Sequence, residues 1–184
     1  MRKALDTLYA AALVGACLSM IVIAALVFIQ VMGRVIDRGL VLAGLPRWGI
    51  AIPSLAEIGG FLFVATASLA LAYTLRAAGH VRVTLITRLV GPRVNRILTV
   101  LVLALAAALA IFATWHIGLR MLDAQAMGRV SYGLIRIPLW IPQAVMTLGF
   151  VIFCIALLDE FWAALRGQPA FRAEEERREY EGAK

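Results

Sequence analysis

The sequence predicts an all-α integral membrane protein: four transmembrane helices, with a short interfacial amphipathic helix between the second and the third. Three observations carry that prediction. Four long runs contain no charged residue, and hydrophobic residues make up 62% of the 184 against 16% charged. The charges also fall between the apolar runs instead of alternating with them, as they do on soluble amphipathic helices. A bilayer core asks about 20 consecutive apolar residues of a helix, and each run meets that demand.

The first span is read at 9–32, because no residue between Thr7 and Gly33 is charged. The run is too long for a signal-peptide apolar region and no small-residue cleavage site follows it before Arg34, so it is expected to stay in the mature protein. Within it Ala11, Gly15 and Ser19 recur at every fourth residue. Small residues at that spacing line one face and let another helix approach closely, the partner being internal or foreign. The second span, 55–75, holds the 18 uncharged residues Ile58 to Leu75 between Glu57 and Arg76, and offers Ser68 with Ala72 as a small-residue pair.

After Arg76 the chain leaves the lipid through Ala-Ala-Gly79-His80-Val81-Arg82. From Thr84 to Arg96 the pattern places Leu85, Ile86, Leu89 and Val90 on one face and Thr84, Thr87 and Arg88 on the other. This is the periodicity of a helix lying flat at the interface and ending near Gly91-Pro92. Arg82 breaks the pattern. Either the helix begins at Thr84 as N-cap, or the Arg82 guanidinium faces something other than lipid tails, such as a lipid phosphate. The third span is read at 97–119, with small pairs Ala104/Ala108 and Ala106/Ala110, and the fourth at 139–158; a charged tail, 159–184, closes the chain. All 184 residues are thus read as one four-helix membrane domain.

Orientation follows from arginine and lysine. The two ends and the middle loop carry Arg2, Lys3, Arg76, Arg82, Arg88, Arg93, Arg96, Arg166, Arg172, Arg177, Arg178 and Lys184, whereas the other two loops carry Arg34, Arg38, Arg47, Arg120, Arg129 and Arg136. The positive-inside bias therefore places both termini and the middle loop in the cytoplasm. The net charge of +7 is a consequence of this topology and not a sign of nucleic-acid binding, since from Asp159 onward seven acids face five bases. Trp48, Trp115, Trp140 and Trp162 sit near span ends, where indoles anchor to headgroups.

Chemistry-bearing residues are sparse. Cys17 and Cys154 both lie in the predicted cytoplasmic half of the bilayer, where a contact between spans one and four is possible but a disulfide is not expected. His80 and His116 are at opposite ends of their spans; at about 1.5 Å per residue, most of the membrane separates them, too far to share a metal. No nucleotide loop or nucleophile constellation is present. Glu57, at the mouth of span two, needs water or a cation, and Arg34 at the matching end of span one is the expected partner; a substrate or ion site is the rival. These features point away from an enzyme and toward assembly.

The segments Glu57-Ile-Gly-Gly-Phe61 through Leu69 and Tyr73-Thr-Leu-Arg76-Ala-Ala-Gly79-His80-Val-Arg82-Val-Thr resemble the small membrane subunit of tripartite ATP-independent periplasmic (TRAP) transporters, the DctQ type. Arg34 ending span one and Ile137-Pro138-Leu-Trp140-Ile-Pro142 opening span four add to the resemblance, which covers nearly the whole chain. The longer first outer loop, Arg38 to Pro53, and Gly59-Gly60 depart from it. The resemblance implies a bacterial inner-membrane subunit of a sodium-driven importer of an organic acid. A periplasmic binding protein would deliver the acid. A large elevator-type permease would hold the substrate and sodium sites. This chain would form a heterodimer with that permease as its scaffold, carrying no cofactor of its own. Arg34, Glu57, His80, Arg82, Arg88 and Trp140 are the candidate contacts to subunits or membrane lipids. The competing reading is a small stand-alone oligomeric transporter or channel, which would need a membrane-embedded acid.

Overall fold

With no water in the hydrocarbon core, each apolar run must satisfy its own backbone, and a helix does so. The computed structural model describes residues 2–49, 51–76 and 92–166, and in it the four runs become α1 (Arg2–Leu42), α2 (Leu55–Arg76), α3 (Pro92–Ala126) and α4 (Trp140–Leu165). All four are long and apolar enough to cross a membrane. The expected interfacial helix over 84–91 lies outside the described residues; the end of that segment, Pro92 to Arg96, is the first turn of α3.

Helix α2 ends one residue from its predicted boundary, but the other three overrun theirs. The longest is α1, whose 41 residues make a rod about 60 Å long, roughly twice the hydrocarbon thickness. The cause is that a helix needs no lipid to continue. Beyond Gly33, the segment Arg34 to Leu42 keeps the helical ladder with polar and apolar residues interleaved, so the expected loop from Arg38 begins as helix. Likewise α4 runs to Leu165, and Asp159 and Glu160 are helical, not the start of a tail.

Two glycines stop the overrunning helices. Gly44 takes φ 73° and Gly128 φ 59°, conformations that cost a glycine nothing. In each case the next amide reaches back five residues, Leu45 N–H to Leu40 O at 2.8 Å and Arg129 N–H to Ala124 O at 2.9 Å, closing a Schellman cap. After Gly44 the chain folds back along α1. Asp37 Oδ1 accepts the amides of Trp48 (2.9 Å) and Gly49 (3.2 Å), and Gln30 Oε1 accepts that of Ile52 (2.7 Å).

The helices pack side by side in the order α1, α2, α4, α3. Helix α4 is therefore an interior member with a neighbour on each side, whereas α1 and α3 flank the row. The α2–α4 crossing is close at one point. A methyl group added at Gly149 would stand 2.6 Å from the Ser68 carbonyl carbon, so the two backbones meet there. Ser68 turns its hydroxyl onto its own helix, at 2.8 Å from Val64 O and 3.2 Å from Ala65 O, presenting a flat, nonpolar face. Ala65, Ser68, Ala72 and Leu75 form the buried stripe of α2. This includes the Ser68/Ala72 pair. On α3 the buried residues are Leu103, Ala107, Ala110 and Ala124; of the four alanines expected there Ala110 is buried in the core, Ala106 packs against it partly buried, and Ala108 is exposed.

The row order also decides the cysteines. Since α1 and α4 scarcely touch, Cys17 is exposed, while Cys154 is buried with its Sγ 3.2 Å from Thr114 Oγ1 of α3. Cys17 and Cys154 do not meet, because α2 lies between most of α1 and α4.

Candidate assembly sites at the two ends of the row

Charges that cannot enter the bilayer collect at helix ends, and there the row offers two polar clusters. At the end carrying the N-terminus, Asp6 of α1 pairs with Arg76 of α2, the one ion pair among the described residues. The Arg76 guanidinium also stands 5.2 Å from the ring centre of Tyr9, a residue only 2% exposed. Tyr9 lies within electrostatic reach of Asp6, Arg76, Asp159 and Glu160, the last of which is buried. One cation thus joins α1 to α2 through Asp6 and lies within electrostatic reach of Glu160 of α4. A cation over an aromatic face adds to the ion pair, and more so where water is scarce. Next along the row, Arg96 of α3 donates to Leu165 O at 2.7 Å, capping the last turn of α4.

At the opposite end, the segment between α3 and α4 folds over the start of α2. It is held to itself by a Val130–Pro138 bridge and by Ser131, whose hydroxyl donates to Ile135 O (3.0 Å) and accepts from Ile137 N–H (3.1 Å). Ser54, at φ 55°, accepts the Ile135 amide on its hydroxyl at 3.1 Å. Ser54-Leu-Ala-Glu57 has the spacing of a helix-capping box, yet here the serine hydroxyl serves the neighbouring segment instead of its own helix. Gly133 rests against the Glu57 carboxylate and Ser54 Oγ, leaving no room for a side chain.

The structure does not bring Arg34 and Glu57 together. Arg34 is exposed on the overrun of α1, and Glu57 Oε2 is buried without a hydrogen-bond partner. Matching depth in the membrane was not enough, because the α3–α4 segment occupies the space over Glu57. The two residues should therefore act independently. In a double-mutant cycle of Arg34→Gln and Glu57→Gln, scored by thermal unfolding in detergent, we expect a coupling below about 0.5 kcal/mol, whereas a joined pair would show more. Glu57→Gln alone should be neutral or mildly stabilising, since it removes a charge that has no partner.

Of the remaining sequence candidates, Trp140 opens α4 and is 39% exposed, as an interfacial anchor is. Gly15 faces Leu69 of α2, and Ser19 donates to Gly15 O at 2.9 Å. Ala11 is exposed, because the face of α1 toward α2 is rotated to Tyr9, Ala12 and Ala16. His80, Arg82 and Arg88 lie outside the described residues. His116 packs edge-on against Phe112 of its own helix, ring centres 4.4 Å apart.

Four helices long and apolar enough to span, with polar clusters at their ends, define a multi-pass membrane protein. The family model of the DctQ component of tripartite ATP-independent periplasmic transporters matches residues 23–167, and the chain belongs to that family. It is a small membrane component of a TRAP transporter. A comparison with curated proteins gave no match.

Proposed function

We propose that this chain is the scaffold subunit of a sodium-driven TRAP importer of an organic acid. It pairs one-to-one with the large elevator-type permease and lies with both termini in the cytoplasm of a bacterial inner membrane. The observation that carries this reading is that the spans 9–32, 97–119 and 139–158 contain no Asp, Glu, Lys or Arg, and that 55–75 contains only Glu57, at its mouth. Ion-coupled carriers place ionisable or unwound elements near the bilayer midplane, and these four helices are continuous through it. Sodium and substrate then belong to the large permease, and this chain has no cofactor and no catalytic role.

Glu57 is the one acid that a self-sufficient carrier would need. It stands in the first turn of α2, at the membrane edge. The open row supports the scaffold reading, because its flanking helices α1 and α3 leave broad apolar faces for another subunit. A tagged large permease should retain this chain at equal stoichiometry through purification in mild detergent. Recovery of the permease alone, from cells that express both, would count against the pairing.

A further inference from the structure

We infer that the overrun of α1 carries a binding site for an anionic phospholipid. The site is a groove of about 650 Å³ along α1, with Val31 and Val35 at the end nearer the hydrocarbon, Arg34, Arg38 and Arg47 around its middle, and Val41 and Leu42 at its far end. Arg34 and Arg38 are one helical turn apart on α1, and Arg47 comes from the segment that folds back along it. All three guanidinium groups are exposed, and none has an ion-pair or hydrogen-bond partner among the described residues. The one acid in the groove, Asp37, already accepts the amides of Trp48 and Gly49.

The occupant follows from how polarity changes between Val31 and Arg38, where the groove crosses the membrane edge. Val31 lies within the charge-free run that ends at Gly33, so this end of the groove is in the hydrocarbon. Arg38 is seven residues further on, about 10 Å along the helix, which is close to the depth of a headgroup layer. A phospholipid has the same gradient over the same distance: acyl chain against the valines, phosphate among the arginines. A soluble protein could reach the arginines but not Val31. Trp48, 69% exposed beside Arg47, stands where an indole anchors to headgroups. Guanidinium groups hold phosphate oxygens through paired hydrogen bonds, which gives an anionic headgroup its advantage over a zwitterionic one.

The test does not depend on the transport reading. The full chain, purified in detergent, is titrated with phosphatidylglycerol or phosphatidylcholine, and bound lipid is counted by native mass spectrometry. The wild type should prefer phosphatidylglycerol. Arg34→Gln/Arg38→Gln/Arg47→Gln should weaken that preference at least about tenfold, given three lost guanidinium contacts. Each single variant should show a partial loss, so the result does not hang on the folding of the triple variant. Arg120→Gln/Arg136→Gln, which removes two bases outside the groove, should leave the preference intact. The proposal is overturned if the groove variants bind phosphatidylglycerol like the wild type, or if the control pair loses as much. It is also overturned if the groove variants keep their lipid and lose the transporter's soluble binding protein instead.

Discussion

Replacing Gly149 with leucine is expected to force α2 and α4 apart and to lower the thermal stability of the purified chain by about 3 kcal/mol, the upper end of the range for overpacking. The site has no slack. An added Cβ meets the carbonyl carbon of Ser68 at 2.6 Å, its Cβ at 2.8 Å and its oxygen at 2.8 Å, and backbone cannot swing aside as a side chain can. Even Gly149→Ala should be destabilising. Alanine favours a helix over glycine by about 1 kcal/mol, but that gain is smaller than the cost of separating the two interior helices. Gly118 of α3 supplies the contrast, since a methyl there would lie 3.8 Å from Thr147 Cγ2, an ordinary contact. Gly118→Ala should accordingly be neutral or stabilising. Melting curves followed by circular dichroism in detergent would settle the ranking. A Gly149→Leu variant melting with the wild type would mean that α2 and α4 do not cross at Ser68.

What could be read from the sequence follows from how the bilayer acts on it. The lipid core excludes charge, so the charge-free runs marked all four helices, and α2, charged at both ends, was placed almost to the residue. The Ser68/Ala72 pair was legible for a similar reason: small residues at a spacing of four mark a close approach. Outside the lipid this constraint lapses. Arg34, Asp37 and Arg38 read as the start of a loop, although they continue α1, because a helix in water tolerates charge. Lateral order left no trace either. Each span is apolar on every side, so nothing in the sequence says that α2 stands between α1 and α4.

The expected pairing of Arg34 with Glu57 failed for the same reason. Arg34 and Glu57 share a depth, as do Asp6 and Arg76, and depth was all that the sequence supplied. The pair that forms joins residues 70 positions apart. It forms because α1 and α2 are neighbours and because Tyr9 gives the guanidinium a face to rest on. Arg76 had been counted only as a topology charge. Gly149 was invisible as well, since one glycine in an apolar run carries no signal until its neighbour is known.

The second large effect expected is a complete dependence of transport on the other components. Continuous helices with neither an unwound stretch nor an Asp, Glu, Lys or Arg at the midplane offer no site to couple an ion gradient to a substrate. The direct measurement is uptake into proteoliposomes under an imposed sodium gradient, with this chain reconstituted alone, with the large permease, and with both the permease and the soluble binding protein. The scaffold account predicts no accumulation by this chain alone, and accumulation only when all three are present and sodium is supplied. Accumulation by this chain alone would contradict the account.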